Sequence, residues 1–242
     1  WGYKSAQDVR EVVAGFKEHY LPLDALHLDI DYMDGYRIFT VNEERFPNLA
    51  ALTAELKENG IHTVTIIDPG VKTDPNYFLC REGLEREAFC QTPKGQPMRA
   101  RVWPGWCHFP DFTDPQTRAW WGEKYQTLLE KGVDGIWHDM NEPAAFVGWG
   151  DPTLPTVTRY SMEGRGGKHI EVQNLYGLTM NQAGHKGLRA LNPHRRPWIL
   201  SRSGWAGMQR YAWNWTGDVG GSWTTLRQTL VTMLGIGLSG VP

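Results

Sequence analysis

The sequence predicts an α/β fold, a partial (β/α)8 TIM barrel spread over residues 1–242 as one incomplete catalytic domain. Three observations point there. Short apolar or β-branched runs alternate with longer amphipathic stretches, the pattern of βα units around a parallel sheet. His62–Ile67 is a nearly continuous apolar run, which suits a strand covered on both faces. Asp29, Asp68, Asp139, Arg202 and Asp218 each fall at or just after the end of an expected strand, where barrel proteins gather their working groups. A doubly wound nucleotide-binding sheet would need a glycine fingerprint after its first strand, and here that strand runs into Asp29-Ile30-Asp31-Tyr32 instead.

The elements follow in order. Ser5 is placed to cap a helix that carries Val9, Val12, Val13 and Phe16 on one side and ends before Pro22. A strand is expected over Ala25–Ile30, then a helix from about Leu49 to Glu58 stopped by Asn59-Gly60. The His62–Ile67 strand closes at Asp68-Pro69-Gly70. Residues 69–112 are rich in Gly and Pro and show little periodicity, so they read as one long functional loop. Asp114-Pro115 opens a helix through Leu129, with proline at the first helical position, and Gly135–Met140 is the next strand. A second long loop over about 142–172 leads to a helix near Gln173–Leu191 and a strand over Pro197–Ser203. A further strand is expected at Ala212–Thr216, and Ser222 caps a last helix toward Leu234.

Composition narrows the function. With 242 residues, 40% of them hydrophobic, the chain can bury a substantial core, which excludes a disordered or fibrous protein. A formal charge of -2 supplies no basic field for phosphates, so nucleic acid is not an expected partner and neutral substrates fit better. No apolar run approaches the roughly 18 to 20 residues that span a bilayer. The three cysteines, Cys80, Cys90 and Cys107, are odd in number and lack a CxxC pair; buried free thiols are expected, with one loop disulfide as the alternative. Both ends read as cuts through a longer protein, so targeting signals are not informative; no compartment is assigned, the cytoplasm being favoured. The 12 tryptophans suit the apolar faces of sugar rings and ordinary cores alike.

Cleaving a glycosidic bond with retention takes one carboxylate to attack the anomeric carbon and a second carboxylic acid to protonate the departing oxygen. Asp139 lies where an apolar strand breaks into acids and an amide, in Gly135-Ile136-Trp137-His138-Asp139-Met140-Asn141-Glu142-Pro143. Asp218 closes Trp213-Asn214-Trp215-Thr216-Gly217-Asp218. A lone aspartate after a strand is ordinarily a turn former or a helix cap, and a tryptophan ordinarily a core residue, so position alone does not assign these roles. Asp68 before Pro69 reads first as such a turn residue, and Trp120 and Trp121 as packing. A metal site from His138, Asp139 and Glu142 is not expected, because no second histidine stands at ligand spacing; nor is any cofactor.

The Trp137-His138-Asp139-Met140-Asn141-Glu142 run resembles the nucleophile signature of glycoside hydrolase family 31, and Trp215-Thr216-Gly217-Asp218 resembles its acid/base signature. Further similar stretches come in the family's order: His27-Leu28-Asp29-Ile30-Asp31-Tyr32-Met33, Ile66-Ile67-Asp68-Pro69, Val102-Trp103-Pro104-Gly105, Phe109-Pro110-Asp111-Phe112-Thr113 and Leu200-Ser201-Arg202-Ser203. The resemblance implies Asp139 as nucleophile and Asp218 as acid/base. It implies that Asp29 and Arg202 bind hydroxyls of the sugar, that Trp103, Trp137 and Trp215 wall its pocket, and that Ile30, Ile66 and Met140 fill the gaps between the rings. The implied activity is removal of terminal α-linked glucose from oligosaccharides through a covalent glycosyl-enzyme.

Elementary electrostatics fits those roles. A pocket of Trp and Ile around a carboxyl disfavours its charged form, which suits the acid Asp218, whereas a nearby Arg202 would favour the charged form of Asp139. Asp29-Ile30-Asp31-Tyr32 is similar to the glucosidase branch rather than to relatives acting on α-xylosides, whose version is more aromatic. The glycines of Val219-Gly220-Gly221 depart from the bulkier residue of many relatives near the sugar. An α-xylosidase, a transglycosylase, an α-glucan lyase and an inactive sugar-binding fragment are the alternatives.

Overall fold

The computed structural model describes residues 2–146 and 152–241. Helix α1 (Ala6–Glu18) begins where Ser5 Oγ accepts the Asp8 N–H at 3.2 Å, and it turns Ala6 and Val9 into the core. Strand β1 (Ala25–Leu28) follows. It stops two residues short of expectation, because Asp29 Oδ1 accepts the Ile30 N–H at 2.7 Å and caps a 3-10 turn over Ile30–Tyr32. Helix α2 (Leu49–Glu58) and strand β2 (His62–Ile67) have the expected bounds.

Residues 69–112 are not the structureless loop that their composition predicts. They form β3 (Val71–Lys72), α3 (Phe78–Glu85), β4 (Arg99–Val102) and β5 (Gly105–His108), and the three strands pair antiparallel in the order β3-β5-β4. Elements this short carry too few repeats for periodicity to register. Trp103 and Pro104 make the β4–β5 turn, which Gly105 closes at φ 99°, a left-handed conformation that glycine adopts without strain.

Asp114 then caps α4 (Pro115–Lys124), divided at Tyr125 from α5 (Gln126–Leu129), and β6 (Gly135–His138) enters the sheet. The 142–172 loop, of which residues 147–151 lie outside the described set, pairs β7 (Arg159–Tyr160) with β8 (Gly167–Lys168). Helix α6 (His169–Leu191) starts four residues before expectation. Strands β9 (Ile199–Ser201) and β10 (Trp213–Asn214) are shorter than expected, and α7 (Trp223–Leu238) comes last, most of its apolar side chains exposed and Ile236 partly buried against the core.

The main sheet has five parallel strands in the order β1-β2-β6-β9-β10 and does not close into a barrel. Its sequence order with helical crossovers is that of a barrel arc. Behind it lies an aromatic core in which Trp121 meets Phe39 and Phe112 edge to face at 5.3 and 5.1 Å. Helix α6 comes close enough to α4 that a Cβ on Gly187 would sit 2.4 Å from the Gly122 Cα. Only two glycines permit that crossing. Cys80, Cys90 and Cys107 are all free and buried. No helix of the described residues is long and apolar enough to cross a membrane.

Candidate active site

The carboxyl ends of the five parallel strands deliver Asp29 after β1, Asp68 after β2, Asp139 after β6, Arg202 after β9 and Asp218 after β10. Asp29, Ile30, Trp103, Trp137, Asp139 and Asp218 line one cleft of about 390 Å³, with Gly2, Lys4 and Asp31 at its edge. The four remaining sugar-contact candidates, Ile66, Met140, Arg202 and Trp215, are not part of that lining but stand next to it. Ile66 is buried on β2 opposite Trp137 in strand register, Trp215 meets Trp137 edge to face at 5.7 Å, and Met140 lies under Arg202.

Arg202 is the hub of the site. Its Nε and Nη2 donate to the two Glu142 oxygens at 2.9 Å each, and its Nη1 lies 3.1 Å from Asp139 Oδ1. Nη2 also reaches Met140 Sδ at 3.3 Å. Burial opposes the guanidinium charge, yet Glu142 and Asp139 outweigh it and raise the Arg202 pKa. The arginine expected to bind sugar hydroxyls thus spends its donors on acids. Met140 adopts φ 58°, a left-handed conformation that costs a non-glycine residue on the order of 1 kcal/mol or more.

Asp139 is 8% exposed, and burial raises its pKa to about 6 against the opposing pull of Arg202. Arg202 is close and favours the charged form of Asp139 as expected, but desolvation outweighs it. Burial also raises Asp29 and, with Asp139 as a neighbouring charge, holds Asp68 well above the usual carboxylate range. Asp218 departs from expectation as well, since it is exposed and no apolar pocket encloses it. Its charge is nonetheless felt at Asp29, Asp139 and Arg202.

A buried hydrogen-bond chain fixes the strand end that carries Asp139. Trp121 Nε1–H donates to Tyr125 Oη at 2.9 Å, and Tyr125 Oη to His138 Nε2 at 2.6 Å. Asn181 Nδ2 is committed to Ser201, so its Oδ1, which can only accept, faces His138 Nδ1 at 2.8 Å; the proton of the neutral ring is therefore on Nδ1, and Nε2 accepts from the tyrosine hydroxyl. Asn181 and Asn141 both donate to Ser201 Oγ at 2.9 Å, and the Ser203 N–H donates to Asn141 Oδ1 at 3.0 Å. Gly184 lets α6 pass over the His138 ring. His138 is thus a neutral structural residue, its pKa lowered to about 4 by burial. Among the described residues no group of three or more His, Cys, Asp or Glu is arranged to hold a metal ion.

Sequence reasoning missed three residues and placed a fourth, Asp68, at a strand end without giving it a role. Glu142 is visible in the sequence only as a flank of the Trp137–Asn141 motif, and its bidentate grip on Arg202 joins segments 60 residues apart. Asp68 does end a strand, but it also joins the acid cluster. His138 carries no signal that separates it from any buried histidine. Phe146, 48% exposed, packs edge to face on the 44% exposed Trp103 at 4.9 Å, and its N–H donates to Arg101 O at 2.7 Å.

A parallel α/β sheet with paired acids and tryptophans at its strand ends defines a carbohydrate-active barrel segment. The chain belongs to glycosyl hydrolase family 31: residues 1–242 match the description "Glycosyl hydrolases family 31 TIM-barrel domain". It is 44% identical over 241 residues to alpha-glucosidase 2 of Bacillus thermoamyloliquefaciens, covering 100% of this chain and 30% of that one. It superposes with TM-score 0.93 and 33% identity on the crystal structure of the heterodimeric ER glucosidase II complex, covering 100% of this chain and 26% of that one. The family 31 α-glucosidase of Bacteroides thetaiotaomicron gives TM-score 0.86 at 39% identity, with 100% of this chain and 38% of that one covered. The chain spans less than two fifths of the length of each of these relatives.

Proposed function

We propose that this chain carries the catalytic pair of a retaining α-glucosidase that removes terminal, non-reducing α-linked glucose from oligosaccharides. Asp139, mostly ionised at neutral pH, attacks the anomeric carbon as the glycosidic C–O bond breaks. Asp218 gives its proton to the departing oxygen, and a glucosyl ester of Asp139 forms. Water then attacks the same carbon, Asp218 takes up the water's proton, and the ester C–O bond returns its electrons to Asp139.

The observation that carries this reading is the shared cleft: Asp139 and Asp218, 79 residues apart in sequence, line one cavity with Asp29 and two tryptophans. Asp29, partly buried, is the group available to sugar hydroxyls, and Trp103 and Trp137 offer ring faces. The α-glucosidase names of the relatives support glucose as the sugar.

The test uses the full polypeptide that carries this chain and an aryl α-glucoside. Asp139→Ala and Asp218→Ala are each expected to lower kcat by on the order of a thousandfold or more, and NMR should show α-glucose as the first product. A β-anomer, or a mechanism-based label on another side chain, overturns the assignment. The mechanism calls for carboxyl groups roughly 5 to 5.5 Å apart in the closed enzyme. An α-glucan lyase would instead release an unsaturated product, and an α-xylosidase would prefer the xyloside.

A further inference from the structure

Asp68 is the acid of the cluster to which the mechanism gives no task. It follows Ile67 of β2, and Ile67 pairs with His138 of β6, so Asp68 and Asp139 leave the sheet side by side from adjacent parallel strands. Asp68 is 4% exposed, and its Oδ1 has no hydrogen-bond partner. Asp139 Oδ1 also lacks one, its contact with Arg202 being an ion pair out of hydrogen-bond alignment.

The groups facing Asp68 come from every element around it: Asp139 and Glu142 after β6, Asp29 after β1, Arg202 after β9, Tyr32 from the 3-10 turn and Cys107 from β5. Arg202 is the cation of that set, and Glu142 and Asp139 already hold it. Two adjacent carboxylates removed from water cannot both stay ionised cheaply, and the cation stands at Asp139.

We propose that Asp68 and Asp139 are a coupled pair carrying one negative charge at neutral pH, the charge on Asp139 and Asp68 standing behind it as a neutral carboxylic acid. Burial and the Asp139 charge both push the Asp68 proton toward retention, in that order. A neutral Asp68 leaves the attacking charge undivided and keeps a third anion from competing for Arg202. When Asp139 becomes an ester its charge disappears, so the environment of Asp68 changes at each turnover. This takes the nucleophile role of Asp139 from the reading above.

Difference infrared spectroscopy on the full polypeptide at pH 7 tests the pair. The wild type is expected to show a protonated carboxyl carbonyl band that Asp68→Asn lacks; its absence from the wild type overturns the proposal. Asn is neutral and of the same shape, so Asp68→Asn should keep kcat/KM within about threefold, with the acidic limb of its pH profile in place. A loss of about a hundredfold, or a displaced limb, would mean that Asp68 works as an anion. Should the variant not fold, the wild type esterified at Asp139 by a mechanism-based label is expected to show the band shifted, and an unshifted band refutes the coupling. A label found elsewhere sinks the nucleophile assignment, while the infrared band still decides the protonation of Asp68.

Discussion

Arg202 Nη1 stands 3.1 Å from Asp139 Oδ1, in ion-pair contact but out of hydrogen-bond alignment. The guanidinium therefore steadies the carboxylate by its field without tying up the oxygen in a directed bond. For a nucleophile this is useful, because a lone pair committed to a strong donor is a poorer attacking group.

Removing that cation should make Asp139 harder to ionise. Arg202→Ala is expected to move the acidic limb of kcat/KM upward from about 6, by about 1 to 3 pH units. A pH–rate profile on an aryl α-glucoside checks it, and an unmoved limb would detach Arg202 from Asp139.

Glu142 acts in the opposite sense, since its charge raises Asp139 while it occupies Arg202. Glu142→Gln is expected to shift the acidic limb downward, by about one unit or less. The same profile measures it.

Asp139 itself should destabilise the fold at neutral pH. Its folded pKa of about 6 exceeds the 3.8 of the free side chain, so between those values the native state holds more protons than the unfolded chain. Stability then falls as pH rises through that window. Asp139→Asn is expected to abolish turnover while raising stability at pH 7, by on the order of 1 to 3 kcal/mol, measured as Tm. Equal Tm values for variant and wild type at pH 7 would contradict it.

His138 has the reverse dependence. Its folded pKa, lowered to about 4, lies below the 6.5 of the free side chain, so the unfolded chain binds the proton first as pH falls. Its neutral form is fully accommodated above pH 6.5, and about 3 kcal/mol should be lost between there and pH 4. Because Asp139 changes in the opposite sense over the same range, the measurement is a difference: between pH 7 and pH 5 the urea unfolding free energy of the wild type should fall by about 2 kcal/mol relative to that of His138→Asn.

The α4–α6 crossing has no room for a methyl group. Gly187→Ala would bring a Cβ within 2.4 Å of Gly122 backbone atoms and is expected to lower stability, by about 1 to 3 kcal/mol. A denaturant midpoint equal to that of the wild type would show that the helices can separate freely.

The framework was legible because it rests on strong local signals. Ser5, Asn59-Gly60 and Asp114-Pro115 mark helix ends by satisfying or terminating backbone hydrogen bonds, and those ends fell as read. Strand ends were overrun at Asp29, Met140 and Ser203, because propensity does not show where the chain leaves the sheet to aim a side chain. The fold of 69–112 and the grip of Glu142 on Arg202 depend on contacts between distant segments. Neither leaves a pattern within a few residues. The exposure of Asp218 escaped for the same reason, since the walls expected around it come from elsewhere in the fold.

Trp103 belongs to the first inserted hairpin and Phe146 to the start of the second insertion, and their ring contact, with the bond from Phe146 N–H to Arg101 O, latches the two together. The edge of the cleft at Trp103 is for that reason held by residues from two separate stretches of sequence. A change in reach or size preference introduced in one insertion has to be accommodated by the other, so engineering the entrance is a problem of paired substitutions.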